Sequence, residues 1–300
     1  MLGRTLFLIV LLAGARAGAQ ALEPRFYSNA PKGLNFALAG AAYSTGGFSA
    51  DPSLNLTEGD LKVSSVFAAY ARAGGLFGKS AKFDVATPYV LLDGSGRVDG
   101  EYRERNVDGF ADPQFRGSIN LVGAPALSLG EFKDYEQGFI LGASLKVTAP
   151  MGQYDSSKLI NIGQNRWAFS PELGISQSWG PLILELAGAA TLYTDNTDFN
   201  GGLRREQEPI YSAQGHLVYT LPRGIWFAFN ATYYVGGRTT VNGVEKDDRL
   251  RNTRLGLTLA LPVSQRNSVK LYASAGVSTR TGSDFNTYGA AWQYRWGGGL

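Results

Sequence analysis

The stretch 225–235, Ile-Trp-Phe-Ala-Phe-Asn-Ala-Thr-Tyr-Tyr-Val, decides how the rest of the chain is read. Its odd positions, Ile225, Phe227, Phe229, Ala231, Tyr233 and Val235, are apolar or aromatic, while the even ones include Asn230 and Thr232. A period of two belongs to an extended strand, whose side chains alternate between faces; a helix repeats every 3.6 residues. The same rhythm returns in Val269, Leu271, Ala273, Ala275 and Val277, in Leu255, Leu257, Leu259 and Leu261, and in Phe139, Leu141, Ala143, Leu145 and Val147. Twelve such segments run from end to end, near 34–44, 61–72, 80–91, 109–121, 138–150, 164–178, 182–193, 209–220, 225–235, 251–262, 268–279 and 285–296. Each suits a tilted membrane strand of roughly 9–11 residues, and an even number suits a single-chain outer-membrane barrel.

The connections follow their own alternation. Those after the first, third, fifth, seventh and ninth segments are long and polar, such as 92–108 and 236–250, whereas 179–181, 221–224 and 263–267 are short. Long outer loops alternating with short periplasmic turns are the outer-membrane pattern. Two connections depart from it: 122–137 is too long for a tight turn, and 280–284 is short for an outer loop.

A soluble sandwich also alternates, because one face of each sheet packs on a core. Here the second face is mostly Gly, Ala, Ser and Thr with isolated charges, and only 18% of the 300 residues are charged. That composition fits lipid outside and a polar interior. Trp167, Phe169, Trp179, Tyr219, Phe227, Tyr233, Tyr288 and Trp296 share the apolar parity near segment ends, where an interfacial aromatic girdle belongs. The reading is therefore an all-β fold: a transmembrane antiparallel up-and-down β-barrel of about twelve strands, occupying 34–296.

Residues 1–19 read as a secretory signal peptide, with Arg4, the apolar run 6–15 and the small residues Ala17, Gly18 and Ala19 before the cut. Its removal with Arg4 and Arg16 leaves 26 basic and 25 acidic residues. Residues 20–33 form a periplasmic N-terminal segment or a plug, and 297–300 a C-terminal tail. The absence of cysteine excludes disulfide scaffolds and thiol chemistry, and a single histidine excludes a multi-histidine metal site. No cofactor, metal or nucleic acid is expected.

Parity assigns the lumen-lining candidates: Lys62, Lys82, Asp84, Arg116, Lys146, Arg166, Glu172, Glu185, His216, Arg254, Lys270 and Arg295. With Arg72, Arg280 and Asp112 added, this interior carries six more basic than acidic groups. Two readings stand: the excess concentrates anionic solutes, or the charges pair internally, Arg166 with Glu172 for instance. His216 would have to serve any Ser–His hydrolase, yet it points inward, away from lipid. Asp195, Asn196 and Asp198 lack the spacing of a defined calcium loop, and Gly94-Ser95-Gly96 opens no helix.

In Gly109-Phe110-Ala111-Asp112-Pro113, in Val147 through Tyr154, in Asn161-Ile162-Gly163-Gln164-Asn165-Arg166-Trp167 and in Phe169 through Gly174, the chain resembles the outer-membrane family named for the meta-pathway of phenol degradation. The resemblance implies a barrel of a Gram-negative outer membrane that admits small, often aromatic or hydrophobic compounds. No catalytic residues carry over. Partners would be outer-membrane lipid, the barrel assembly machinery and a small solute. The alternative is a non-transporting structural or surface-binding barrel; an embedded lipid hydrolase ranks below both. One departure is the terminus, where Gly297-Gly298-Gly299-Leu300 follows Trp296 in place of a closing aromatic residue.

Overall fold

The computed structural model describes residues 23–49, 56–98, 101–158, 160–280 and 282–300; the expected signal peptide lies outside them. The strands are β1 (Leu34–Ser49), β2 (Leu56–Leu76), β3 (Lys79–Val98), β4 (Glu101–Phe110), β5 (Gln114–Val122), β6 (Phe139–Thr148), β7 (Ala168–Trp179), β8 (Leu182–Tyr193), β9 (Asn196–Phe199), β10 (Leu203–Gln207), β11 (Ile210–Thr220), β12 (Trp226–Gly236), β13 (Thr239–Val241), β14 (Val244–Glu245), β15 (Leu250–Pro262), β16 (Asn267–Thr279) and β17 (Gly282–Gly297).

Antiparallel pairing joins β1 to β17, runs back through β16, β15, β12, β11, β8, β7, β6, β5 and β3, and returns to β1 through β2. The ring is closed. β4 and β5 share one position, because β3 pairs with β5 over 81–86 and with β4 over 89–98. The break between them falls at Ala111-Asp112-Pro113, where proline has no N–H to give a ladder. That makes twelve positions, and each overlaps one of the twelve segments read from the sequence. A ring without edges is what hydrocarbon demands, since an unpaired backbone N–H or C=O there costs several kcal/mol.

Side chains divide by parity as the alternation requires. On β12, Phe227, Phe229 and Tyr233 are exposed on the outer face while Trp226, Ala228, Asn230, Thr232 and Tyr234 are buried inside. Outer rows cross the strands, as in Phe229, Leu257 and Ala273. Inner rows do likewise, as in Ser176, Glu185, His216 and Asn230.

The start of β1 and the end of β17 lie together at the short-turn end. There the anomalous connection 123–138 forms a floor. It holds a single helical turn, α1 (Leu129–Phe132), closed by a capping box between Ser128 and Glu131. Backbone bonds fix it to the β2–β3 turn, from Ser80 to Ala124 (2.9 Å) and from Ala126 to Gly78 (3.0 Å). The C-terminal tail turns back onto the same floor. Gly297, Gly298 and Gly299 all take positive φ, a run other residues resist, which brings Gly298 beside Gly33 and Gly299 beside Leu129. At the opposite, distal end, β9, β10, β13 and β14 from two long connections build a separate four-stranded sheet.

Replacing Leu257, mid-strand and on the outer face, with arginine should cost about 2–4 kcal/mol, and the same change at Val263 in a turn only about 0–1 kcal/mol. Urea titration of refolding into phospholipid vesicles measures both; equal costs would show that this face does not meet hydrocarbon.

Candidate functional site in the occupied lumen

Residues 23–31 precede β1, and every one of them is buried. They extend from the floor into the lumen and meet its charged side chains one after another. Isolated charges in a low-dielectric interior are costly unless each finds a partner. The segment supplies those partners.

The Arg116 guanidinium is held between the Glu23 carboxylate and Asp84 Oδ2 (3.1 Å). Its carbon lies 3.7 Å from the centre of the Phe26 ring, a stacked cation–π arrangement. Lys82 Nζ donates to the carbonyl oxygens of Phe26 and Ser28, the latter at 2.9 Å. Glu185 accepts from the Arg25 backbone N–H and from Ser176 Oγ (3.2 Å). The Arg25 guanidinium sits 5.7 Å from the Trp226 ring centre; burial lowers its pKa to about 10 against the pull of Glu185, so it stays cationic at neutral pH. Asn120 Nδ2 donates to the Tyr27 carbonyl (3.0 Å), and Asn29 Nδ2 to that of Pro125 in the floor (3.0 Å).

Tyr27 occupies the most specific seat. Its hydroxyl donates to Glu172 Oε1 (2.9 Å), and burial beside that carboxylate holds the phenol well above its ordinary pKa. Its ring lies against Gly142 and Gly174, which are direct cross-strand partners on β6 and β7. A Cβ on either glycine would overlap the ring. The missing side chains make the slot.

The other lumen candidates sit as follows. Lys146 and Glu172 are half-buried on the inner face, and Gln214 Nε2 also donates to Glu172 (2.8 Å). Arg166 lies far from Glu172, at the distal mouth, where it meets Gln207 and the Tyr193 ring (4.3 Å to its centre); the pairing of Arg166 with Glu172 does not form. His216 shares a hydrogen bond with Asn230 (2.9 Å), which donates to Thr258 Oγ1 (3.0 Å). Arg254 donates to Ser274 Oγ and to the Phe285 carbonyl, both at 3.0 Å, and Arg295 to the Gln265 carbonyl (2.6 Å). Lys270 is buried with its ammonium 5.8 Å from the Trp226 ring centre.

Lys62 is a correction. It is exposed on the outer parity of β2, whereas its neighbours Leu61 and Val63 turn inward and are buried. At the distal end the inner face of β2 is apolar: Leu61 and Val63 pack with Val90, Leu92, Ala111 and Ile162. Arg72 is likewise exposed. The girdle residues Trp167, Phe169, Trp179, Tyr219, Phe227, Tyr233 and Tyr288 are exposed on the outer face, and Trp296 is partly covered by stacking on Tyr294 (5.7 Å). Asp195 pairs with Arg204, and no metal-binding cluster occurs among the described residues.

Sequence reasoning missed Glu23, Arg25, Phe26 and Tyr27 as individual contacts, and the inward Trp226 and Tyr234. A signal existed for the seat: Gly142 and Gly174 fall on the inner parity of adjacent strands. The segment itself has no periodicity to read.

The motif residues at the distal mouth are structural. Asp112, at the break between β4 and β5, accepts from the backbone N–H groups of Gly152 (2.9 Å) and Gln164 (2.8 Å). It thereby ties the connection 149–167 to the wall and seats Ile162 among inward apolar side chains.

The model of the family described as "Putative MetA-pathway of phenol degradation" matches residues 36–294. Among solved structures, the chain is similar to an outer membrane channel from Pseudomonas putida F1, at 20% identity and a TM-score of 0.77 over 92% of this chain and all of that one. It also resembles the transport unit of the autotransporter AIDA-I from Escherichia coli (8% identity, TM-score 0.53, 92% and 94% covered). A third is the TodX monoaromatic hydrocarbon channel in a deletion mutant (10%, 0.53, 90% and 93%). At these identities the likeness is one of fold. No curated protein sequence matches the chain.

Filling the seat should release the segment. In Gly174→Val, trypsin is expected to cut after Arg25 about tenfold faster than in the unaltered protein, the change that a loss of roughly 1.4 kcal/mol produces. Mass spectrometry of the refolded protein reads the cleavage; an unchanged rate would show that the seat does not hold the segment.

Proposed function

Because the chain belongs to the family described as "Putative MetA-pathway of phenol degradation", we propose that it is an outer-membrane channel for passive uptake of small molecules, with both termini on the periplasmic side. The observation that supports this most is what fills the ring. Eight strands give an interior filled by wall side chains and sixteen an open bore. In this twelve-position ring the central space is taken by residues 23–31, a buried piece of chain that takes no place in the ladder of the wall. Diffusion through a polar lumen needs no cofactor and no catalytic residue. The segment then acts as a plug, and passage requires its displacement.

The charge inside bears on the solute. Inward-facing basic groups are Arg25, Lys82, Arg116, Lys146, Arg166, Arg254, Lys270 and Arg295; the acidic ones are Glu23, Asp84, Asp112, Glu172 and Glu185. An excess of positive charge within low-dielectric walls concentrates anions, so small acidic organic compounds, aromatic ones included, are the favoured class. The second reading, a closed structural barrel, draws support from the density of bonds around Arg116 and Tyr27.

Planar-bilayer recordings separate the two. The full chain should conduct weakly, and a variant lacking 20–33, checked for a folded barrel by heat-modifiable migration, should conduct several-fold more with a reversal potential favouring anions. A deletion variant as silent as the full chain would support the structural reading, and a cation preference would overturn the charge argument.

A further inference from the structure

The turn at the head of the segment brings two unlike groups onto one wall cation. Residues 24–27 form the turn, with Arg25 at a φ of 67° and the Ser28 N–H donating to the Arg25 carbonyl (3.2 Å). Glu23 and Phe26, on either side of it, both reach Arg116 on β5. The Glu23 carboxylate accepts from Nη1 at one edge of the guanidinium, and the Phe26 ring covers its face, 3.7 Å from the central carbon. The edge at Nε is held by Asp84 of the neighbouring β3 (3.1 Å).

Arg116 thus has a carboxylate partner within the wall before the segment arrives. Asp84, Arg116 and Lys146 are direct partners across β3, β5 and β6, and Lys82 lies on the same face of β3 as Asp84. Without the segment, that stretch of wall presents Lys82, Arg116 and Lys146 against Asp84 alone, a surface that attracts a further carboxylate. Glu23 is the one the chain supplies. Beside it the surface turns apolar: Phe26 clusters with Ala124 of the floor and Ile140 of β6, and the Lys82 ammonium stands 5.4 Å from its ring centre.

A carboxylate on the edge of a guanidinium and an aryl ring on its face are what an arylalkanoate presents in one molecule. The spacing sets the linker. A carboxylate bonded at the edge has its carbon about 4 Å from the guanidinium carbon. With the ring centre 3.7 Å off the face, the two groups stand about 5–6 Å apart. A chain of two methylenes spans that separation; benzoate, with its carboxylate directly on the ring, does not.

We propose that Glu23 and Phe26 are an internal mimic of the solute, and that arylalkanoates with a two-methylene spacer bind Arg116 in their place and so release the segment. The proposal rests on the reading of residues 23–31 as a plug. It makes Arg116 the residue that binds the solute and ties opening to the solute's arrival. The tie is reciprocal: whatever loosens the segment at Arg116 tightens the binding of the solute by the same factor.

Full-length protein refolded in detergent at fixed ionic strength, titrated with 3-phenylpropionate, tests this. Trypsin cleavage after Arg25 is followed by mass spectrometry and binding by saturation-transfer NMR. Cleavage should accelerate saturably with 3-phenylpropionate. Benzoate, butyrate and 3-phenylpropanol, which lack the spacing, the ring and the charge respectively, should have no comparable effect. In Glu23→Gln half-maximal binding should move to an about tenfold lower concentration, the scale of one hydrogen bond to a charged group, and Phe26→Ala should move it the same way. Both variants are checked for heat-modifiable migration; tighter binding is a result that damage to the fold does not give. Cleavage indifferent to 3-phenylpropionate, an equal response to butyrate or 3-phenylpropanol, or binding no tighter in either variant would overturn the proposal. Bilayer conductance is read independently. A protein that conducts but whose segment ignores 3-phenylpropionate loses this inference and keeps its channel, and one that binds it without ever conducting loses the channel and keeps the site.

Discussion

The structure rests on one constraint: within hydrocarbon no backbone N–H or C=O can go unpaired. A sheet meets it only by closing on itself, and here closure is made where β1 meets β17 and where β2 meets β3. Closure then fixes everything about the faces. Each strand must turn one parity to lipid and the other to the lumen, so the wall's chemistry is decided two residues at a time. The aromatic rows at the strand ends, such as Trp292, Tyr294 and Trp296 stacked along the last strand, mark where the hydrocarbon stops.

The interior follows from a second cost. Lys82, Asp84, Arg116, Glu172 and Glu185 are carried inside by strands whose outer faces are committed to lipid. With residues 23–31 docked among them, water is excluded and each needs a partner from the protein. The N-terminal segment resolves this with ordinary parts: backbone carbonyls for Lys82, a carboxylate for Arg116, a backbone N–H for Glu185 and a phenol for Glu172. Charged wall and neutralising insert are one design. The same groups that would attract a solute are, with the segment docked, already spoken for.

Much of this was legible in the chain, because lipid imposes a strict alternation. The pattern of 225–235 places Phe227 and Phe229 outside and Asn230 and Thr232 inside without any coordinates. It fails where a strand leaves the bilayer. At Lys62 both parities carry apolar residues nearby, and the inner one is chosen by Ile162, which arrives from a connection about a hundred residues away in sequence. It fails again at Trp226, aromatic yet inward because the inner face near the floor packs on itself with Phe67, Ile183 and Val218, and at Tyr234, buried on the same inner face further from the floor. The segment 23–31 obeys no period at all. Its fit is written in the wall, in the two glycines opposite Tyr27, and only a three-dimensional register brings those together. The long connection 122–137, a blemish in the loop pattern, is where the floor had to be built.

The seam between β1 and β17 carries a consequence for biogenesis. It pairs Asn35 with Trp296, so it cannot zip until almost the whole chain has been made. Residues 23–31 stand immediately before that seam and end up encircled by it. Threading them afterwards through a finished ring, past Lys82 and Arg116, would mean desolvating them twice. The economical order is the reverse, with the leading end laid against the nascent wall while the sheet is still an open trough and the last hairpin drawn across it like a lid on a packed case.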